Sequence, residues 1–268
     1  ACLVGSEMCI RDSVREASKL IVEELEKSGY LLYGDYLVHS YPLCWRCKTP
    51  LIFRLTNQWF ISIDEIKEKM LEENEKVRWL PSFGKERFKN WIKDAVDWCI
   101  SRQRYWGIPL PIWICENCNE KIVVGSIAEL KKLSIEELPE NIDLHKHVVD
   151  KIVFKCKKCN GKARRIPDIL DVWFDSGAST WASFGYPFQS KKILVADLID
   201  ESQDQIRGWF YTLMFCGVAF IDKSPYKTIC MNGWVLDEKG QKMSKSLGNV
   251  IDGEEAIERI GADVLSLY

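Results

Sequence analysis

Hydrophobic and polar positions predict both helices and strands in the first hundred residues. Residues 14–29 place apolar side chains at helical spacing and end in a glycine, which predicts an amphipathic helix. Residues 64–77 and 88–100 predict a charged helix and a Trp-rich helix. Residues 51–63 are rich in β-branched and aromatic side chains and predict a strand. Residues 30–39 favour an extended segment or a hairpin.

The last hundred residues have a more regular order of elements. The pattern predicts a strand at 193–199, a helix at about 204–221, a strand at 228–236 and a helix at 253–260. Strands that alternate with helices in this way are typical of a parallel sheet covered by helices. The fold class we expect is therefore α/β, with a Rossmann-type parallel sheet.

Composition excludes two classes of protein. The 268 residues include 11 Trp, 11 Phe and 9 Tyr, and 47% of them are hydrophobic, so the chain is not intrinsically disordered. The longest apolar stretch without charge, residues 208–221, is shorter than the roughly 18 residues of a membrane span. The net charge of -2 argues against nucleic-acid binding through bulk charge but leaves room for a local basic site.

Cysteine spacing points to a metal. Six of the 11 cysteines form three Cys-x-x-Cys pairs, which suit tetrahedral metal ligation better than disulfides and indicate a reducing, cytoplasmic compartment. Residues 113–165 are also rich in Lys and poor in large apolar side chains, as expected of a small inserted module. Its two pairs can close a four-thiolate zinc ribbon that binds about one Zn²⁺ per chain. The ligands of this predicted site are Cys115, Cys118, Cys156 and Cys159.

A basic string follows the strand at 228–236. Residues 242–249 read Lys-Met-Ser-Lys-Ser-Leu-Gly-Asn, so that two ammonium groups alternate with hydroxyls on a loop flanked by glycine. Such a loop can close on a polyphosphate whose charge grows during a reaction. Charge alone equally fits a solvated basic loop. The interpretation therefore depends on the whole string.

That string resembles the signature of class I aminoacyl-tRNA synthetases. Other segments resemble the isoleucyl family within that class, in its archaeal and eukaryote-like forms: residues 41–50, 101–109, 171–177 and 204–210. In order and spacing the resemblance covers residues 14–268. It implies the second half of a Rossmann catalytic core, with the zinc ribbon inserted into it.

The resemblance also implies roles for individual residues. Acceptors at the carboxyl end of a parallel strand are placed to bind ribose hydroxyls and an α-ammonium, and two indoles wall a pocket for a branched alkyl side chain. Ser202 departs from the family, which usually has glycine there. Core packing is the alternative role for the indoles. The residues that the resemblance assigns to the adenylate and the amino acid are Glu201, Asp204, Gln205, Trp173 and Trp209. Those that it assigns to ATP are Lys245, Ser244 and Ser246. It assigns catalytic roles to Lys242 and Lys245. Cys44 and Cys47 are half of a second metal site, whose partner pair lies upstream in the family.

The function implied by the resemblance is that of an isoleucine–tRNA ligase, monomeric and without a membrane segment. ATP with Mg²⁺ activates isoleucine to isoleucyl-adenylate, and the acyl group passes to tRNA(Ile). The chain has no His-x-Gly-His string, which in the family stabilises the α-phosphate, so we expect it to be inactive alone. Two alternatives remain open: a valyl-type fragment, and a zinc-ribbon RNA-binding module.

The same reasoning predicts six segments. Back-translation of the first residues resembles a sequencing adapter, so residues 1–13 are interpreted as non-native. The segments are the adapter at 1–13, the return of the editing insertion at 14–60, catalytic-domain helices and a strand at 61–112, the zinc ribbon at 113–165, the second half of the Rossmann domain with the basic loop at 166–252, and the start of a helical region leading to an anticodon-binding domain at 253–268.

Overall fold

A computed structural model describes residues 14–44, 47–53, 55–244 and 248–267, with side chains from residue 17 onward. The chain divides into two compact units, residues 1–56 and residues 57–268. Within the described residues, no helix is both long enough and apolar enough to cross a membrane.

The first unit contains one helix, α1 (Val14–Lys27), in its described part. A β-bridge joins Leu43 to Pro50, and the backbone N–H of Lys48 donates to the carbonyl of Cys44 at 2.8 Å. Residues 30–39 form no hydrogen-bonded ladder. The predicted strand at 51–63 is mostly wrong, because only residues 60–61 find a strand partner.

The described part of the second unit contains eleven short strands: β1 (Phe60–Ile61), β2 (Arg78–Leu80), β3 (Trp98–Cys99), β4 (Ser101–Arg102), β5 (Ile112–Cys115), β6 (Lys121–Val123), β7 (Val153–Lys155), β8 (Lys162–Arg165), β9 (Ile169–Leu170), β10 (Ile199–Ser202) and β11 (Thr228–Asn232). Its helices are α2 (Lys67–Lys76), α3 (Phe83–Asp94), α4 (Ile127–Leu133), α5 (Lys146–Val149), α6 (Val172–Gly177), α7 (Ser179–Ala182), α8 (Trp209–Ile221), α9 (Gly253–Ile260) and α10 (Ala262–Leu267). A 3₁₀ helix, Gln203–Arg207, precedes α8.

A three-stranded parallel sheet with the order β10–β11–β2 confirms the predicted α/β class. Ile199 pairs with Ile229, and Cys230 pairs with Leu80. Helix α8 is apolar all round and nine of its residues are buried, as expected for a helix inside a core. Phe210 and Leu213 of that helix are fully buried in the same cluster as Ile229. This packing fixes the start of α8 beside the end of β10.

The helix predicted at 88–100 lies earlier in the chain, as α3. It ends at Ala95, which is extended (φ -65°, ψ 137°), and the chain enters β3, which pairs antiparallel with β1. The ring of Trp98 packs edge-on against Phe215 at 5.1 Å between centroids. Tertiary packing of Trp98 therefore overrides the local helical pattern.

Residues 112–165 form a four-stranded antiparallel sheet with the order β6–β5–β8–β7. One face is buried against α4 and α5, where Trp113 stacks on Phe154 at 4.4 Å and Leu130 is 4% exposed. At its end the Arg165 guanidinium, fully buried, binds the carboxylate of Asp150 and donates to the carbonyl oxygens of Leu110 and Asp168. This sheet carries the four cysteines of the predicted ribbon at one end.

Candidate functional site

Acidic side chains lie at the carboxyl end of β10, as predicted. Glu201 is exposed, and its Oε1 accepts a 3.0 Å hydrogen bond from the backbone N–H of Ser202. The hydroxyl of Ser202 donates to the carboxylate of Asp204, which is also exposed. In the next strand, the Asn232 amide donates to Asp200 at 2.8 Å. Oxygen acceptors thus line this edge of the sheet and can bind hydroxyl or ammonium groups.

Ser202, which replaces the glycine usual in the family, does not bury these acids. Its hydroxyl instead fixes the Asp204 carboxylate next to the strand end. The side-chain oxygen of Gln205 accepts from the backbone N–H of Trp209 at 2.9 Å, at the first turn of α8. One end of the Gln205 amide is therefore engaged in holding the helix.

The two predicted indoles belong to α6 and α8, two helices that pack against each other. The indole N–H of Trp209 donates to the carbonyl of Ser176 in α6 at 3.0 Å. Trp173 is 40% exposed, and its ring lies so close to Gly208 that a Cβ there would be 3.1 Å from the ring. Trp173 is therefore too exposed to serve only in core packing. Trp209 is half-buried, so core packing accounts for part of its surface.

Trp173 also faces a cavity of about 1250 Å³ between α6 and the four-stranded sheet. Trp106 and His145 line the same cavity and stack on each other at 4.7 Å between ring centroids. Asp175, another lining residue, has a raised pKa because burial and the nearby Asp171 carboxylate both disfavour its charged form. The cavity is large enough for a sizeable ligand beside the indoles.

Asp171 holds the helix of Trp173 in place, a role that the sequence analysis missed. Its carboxylate binds the Arg102 guanidinium at 2.7 Å and accepts from the indole N–H of Trp98 at 3.1 Å. The same side chain accepts from the backbone N–H of Trp173 and caps α6. An aspartate directly before a short apolar helix is the sequence signal that identifies such a cap.

The structure describes the basic loop, residues 242–249, except for residues 245–247. Lys242 lies over the ring of Trp234, with Nζ 3.1 Å from the ring centroid. The backbone N–H of Ser244 donates to the side-chain oxygen of Asn249 at 2.9 Å. Lys245 and Ser246, the other predicted ATP ligands, lie outside the described residues. Asn249 was part of the string but had no predicted role.

The four ribbon cysteines come together. Their Sγ atoms lie within 4.8 Å of one another, with 3.3 Å between Cys115 and Cys159 and 3.6 Å between Cys118 and Cys156. Zn–S bonds of about 2.3 Å in a tetrahedron require sulfur atoms roughly 3.8 Å apart. The four thiols thus fit a zinc ion after small side-chain movements.

Both halves of this cluster have the same local geometry. Asn119 and Asn160 are left-handed, with φ of 58° and 59°, and their backbone N–H groups donate to the carbonyls of Cys115 and Cys156 at 3.0 and 2.9 Å. Backbone N–H groups, that of Cys118 foremost, lower the pKa of Cys115 to about 6. Neighbouring thiols instead raise the pKa of Cys118 and that of Cys159, so Cys115 is the first of these three to supply the thiolate that metal binding requires.

The second predicted pair lies in the first unit. The Cys47 thiol is 2.7 Å from the hydroxyl of Thr49, which is the main cause of a pKa lowered to about 7. Within the described residues, the four ribbon cysteines form the one group of three or more His, Cys, Asp or Glu side chains whose ligand atoms lie close together. That Cys44 and Cys47 are half of a second metal site stays a prediction.

Comparison with known proteins identifies a family. Residues 6–268 match the family of tRNA synthetases class I (I, L, M and V). The chain is 51% identical over 259 residues to the isoleucine–tRNA ligase of Methanothermobacter thermautotrophicus, and 49% identical over 257 residues to that of Saccharolobus solfataricus. Each match covers 95% of this chain but only 25% and 26% of the relative. The chain therefore spans about a quarter of the length of these curated relatives.

A solved structure shares the fold. The methionyl-tRNA synthetase of Mycobacterium tuberculosis bound by methionyl-adenylate superposes with a TM-score of 0.52 over 85% of this chain and 36% of its own. Sequence identity is 18%, so this likeness concerns the fold alone.

Proposed function

The chain belongs to the class I tRNA synthetases of the isoleucine, leucine, methionine and valine group, and from that premise we propose that it is part of an isoleucine–tRNA ligase. Identity of about half to ligases of that name, over 95% of the chain, supports isoleucine as the amino acid. The proposal includes a cytoplasmic, monomeric enzyme and tRNA(Ile) as the acceptor.

The proposed reaction has two steps. The isoleucine carboxylate attacks the α-phosphate of ATP, which binds with Mg²⁺, and isoleucyl-adenylate and pyrophosphate form. A terminal ribose hydroxyl of tRNA(Ile) then takes the acyl group and releases AMP. The first step depends mainly on positioning and on stabilisation of phosphate charge.

The observation that supports this assignment is the position of Gln205, which follows Asp204, accepts the backbone N–H of Trp209 and lies beside Gly208, as the Trp173 ring does. Glu201 and Asp204 offer carboxylates to the ribose hydroxyls and the α-ammonium of the adenylate. Trp173 and Trp209 offer apolar walls to the branched side chain. Gln205 links the two groups, because it follows Asp204 and binds the first N–H of α8.

The basic loop is assigned to the phosphates of ATP. Lys245 contacts them with Lys242 as its helper, and the hydroxyls of Ser244 and Ser246 complete the site. Lys242 stabilises the leaving pyrophosphate only if it moves off the Trp234 ring when ATP binds. This movement is part of the proposal.

Zinc is assigned to the four ribbon cysteines. Four thiolates would leave the ion no open coordination position, so its role would be structural: it would join the two cysteine turns. Cys44 and Cys47 are assigned as half of a second site that needs further ligands to bind metal tightly.

A chimera tests the proposed function. Residues 14–268 replace the matching segment of the Methanothermobacter thermautotrophicus ligase, and amino-acid-dependent ATP–pyrophosphate exchange is measured with isoleucine and with valine. We expect exchange with isoleucine to be the faster. Preference for valine would instead support the valyl-type alternative, and no exchange with either would contradict the proposal if the chimera is folded by circular dichroism.

A variant of that chimera tests the loop. Lys245→Ala should raise the activation barrier by about 2–4 kcal/mol, the scale of a lost charge stabiliser. Lys223→Ala removes an exposed lysine from the loop after α8 and should leave exchange unchanged. An unchanged rate in Lys245→Ala would exclude its role.

A further inference from the structure

Two paired strands, β4 and β9, join the four-stranded sheet to the rest of the second unit. In the chain β4 precedes residues 112–165 and β9 follows them. The two strands pair antiparallel, with Arg102 opposite Ile169. A single residue, Asp171, separates β9 from helix α6, which carries Trp173. The indole of the proposed amino-acid pocket therefore follows directly on the strand that leaves the inserted module.

Asp171 is a buried carboxylate that connects this strand pair to α6. The residue is 3% exposed, and its partner in the ion pairs of the described residues is Arg102, whose Nη2 lies 2.7 Å from Oδ2. The same oxygen accepts the indole N–H of Trp98 at 3.1 Å, whereas Oδ1 accepts the backbone N–H of Trp173 at 3.4 Å. Because a carboxylate is planar, the bonds to Oδ2 also set the direction in which Oδ1 meets the first turn of α6.

Arg102 is itself held by the backbone around β4. Its Nη1 donates to the carbonyl oxygens of Cys99 and Ser101, at 2.8 Å in each case. These two bonds fix the guanidinium plane and leave Nη2 to bind Asp171. A lysine at this position would keep the charge, but its single ammonium does not reproduce the planar arrangement of three bonds. The arginine is therefore a rigid connection between the strand pair and the Asp171 carboxylate.

The ring of Trp173 has protein backbone on one side and the cavity on the other. A Cβ at Gly208 would lie 3.1 Å from the ring, so the start of α8 leaves little room there. Trp173 is 40% exposed and lines the cavity of about 1250 Å³. Since the cavity side is open, the position of the ring depends on how firmly the start of α6 is held. A loss of orientation at Asp171 should therefore move this wall of the pocket.

We propose that Arg102 is a positioning residue of the amino-acid pocket and that it acts on the ring of Trp173 through Asp171. The proposal rests on the proposed function for the identity of the amino acid, isoleucine. Without Arg102 the buried Asp171 carboxylate loses its cation, a costly arrangement that is relieved when the side chain turns toward water. A displaced wall then fits the branched side chain less well. Arg102 also lines the cavity, so direct contact with the ligand is the competing role that the experiment must exclude.

A double-mutant cycle in the chimera tests this role. Pyrophosphate exchange without tRNA is measured against isoleucine and ATP concentration for wild type, Arg102→Gln, Asp171→Asn and the double variant. We expect Arg102→Gln to raise KM for isoleucine roughly tenfold and to change KM for ATP by less than about twofold. In the Asp171→Asn background the same change should add less than about twofold, because the charge through which Arg102 acts is already absent. An unchanged KM for isoleucine would overturn the proposal, and additive losses would identify the competing direct contact.

A matched control breaks an ion pair of the same kind elsewhere. Arg164 of β8 binds Glu116 at 2.8 Å on the exposed surface of the module, so Arg164→Gln should leave both KM values unchanged. Arg102→Lys keeps the charge without the three bonds, and its KM for isoleucine should lie between those of wild type and Arg102→Gln. This variant also guards against a glutamine variant that fails to fold. Equal rises in KM for isoleucine and for ATP, together with a lower thermal midpoint, would indicate general damage and overturn the proposal.

A spectroscopic measurement on the 268-residue chain does not depend on catalysis. With fluorotryptophan in place of the 11 tryptophans, the fluorine resonances of Trp173 and Trp113 are identified by the Trp173→Phe and Trp113→Phe variants. We expect the Trp173 resonance to shift in Arg102→Gln and to stay in Arg164→Gln, while that of Trp113, on the buried face of the sheet, stays in both. An unmoved Trp173 resonance would overturn the role of Arg102, whereas absence of exchange in the wild-type chimera would contradict the proposed function alone.

Discussion

The side-chain amide of Asn249 donates a 2.8 Å hydrogen bond to the carboxylate of Asp237, across twelve positions of the chain. Its oxygen accepts the backbone N–H of Ser244 at 2.9 Å. Asp237 in turn accepts the backbone N–H of Gln241 at 2.8 Å. One asparagine thus connects the turn before the basic loop with the loop itself.

Replacement of Asn249 should therefore impair catalysis through loop position. Asn249→Ala in the chimera removes these bonds and a third, from the same amide to the carbonyl of Lys242 at 3.3 Å, and we expect exchange to fall roughly tenfold, equivalent to about 1.4 kcal/mol. Asn90→Ala changes an exposed asparagine of α3 and serves as the control. Wild-type exchange in Asn249→Ala would show that the loop does not need this anchor.

The Gly208 position controls the indole of Trp173. A Cβ at Gly208 would lie 2.7 Å from the side-chain oxygen of Gln205 and 3.1 Å from the Trp173 ring. Gly208→Ala should displace that ring and weaken the binding of isoleucine by about 1–2 kcal/mol, the scale of overpacking. We expect this loss to appear as a higher KM for isoleucine. A Cβ at Gly233 meets nothing within 4 Å, so Gly233→Ala is the matched control. Equal KM values in the two variants would contradict a role for Trp173 in the pocket.

Local signals predicted some elements well. The helix predicted at 253–260 is α9, because Asp252 caps it through the N–H groups of Glu254 and Glu255 and Gly261, with φ of 84°, ends it. Cysteine spacing likewise predicted which four thiols come together. The family resemblance, read from short motifs, is confirmed by the match over residues 6–268.

Other features depend on contacts that no local pattern contains. Strand β2 was not predicted, since its three residues become a strand only by pairing with β11. The strand predicted at 193–199 lies mainly later, at Ile199–Ser202, where β11 offers a partner. The approach of Trp173 to Gly208 requires α6 to pack on α8. Such relationships become visible only in three dimensions.

Glu73 couples stability to pH. Its side chain is 5% exposed and binds Lys76 and Lys69, and it accepts the backbone N–H of Ser224 at 3.0 Å. Burial alone would raise the pKa of Glu73, but the bonds from Lys76 and Ser224 outweigh it and the net pKa is lowered from 4.5. A lowered carboxyl pKa stabilises the fold fully above the unfolded value and ceases to do so as pH falls through the folded value.

Glu73→Gln should accordingly destabilise the chain by about 1.5 kcal/mol at pH 7. The difference from wild type should shrink as pH falls below about 4.5, because the carboxyl group is protonated first in the unfolded chain and, at still lower pH, in the folded one. Urea unfolding at pH 7 and pH 4 measures it. Glu72→Gln is the control, since Glu72 is 67% exposed and 3.9 Å from Lys69. A difference that does not depend on pH would exclude the ion pairs as its source.

Metal content tests the ribbon directly. After dialysis against a chelator, elemental analysis should find about one Zn²⁺ per chain in the wild type, because four thiolates bind it in a closed tetrahedron. Cys156→Ala should lower this to near zero and lower the thermal midpoint, since three thiolates on two separate turns no longer hold the ion. Cys99→Ala and Cys47→Ala change cysteines outside the cluster and should retain the metal. A wild-type content near zero would exclude the zinc ribbon, whereas loss of metal in Cys47→Ala would show that the pair in the first unit binds it instead.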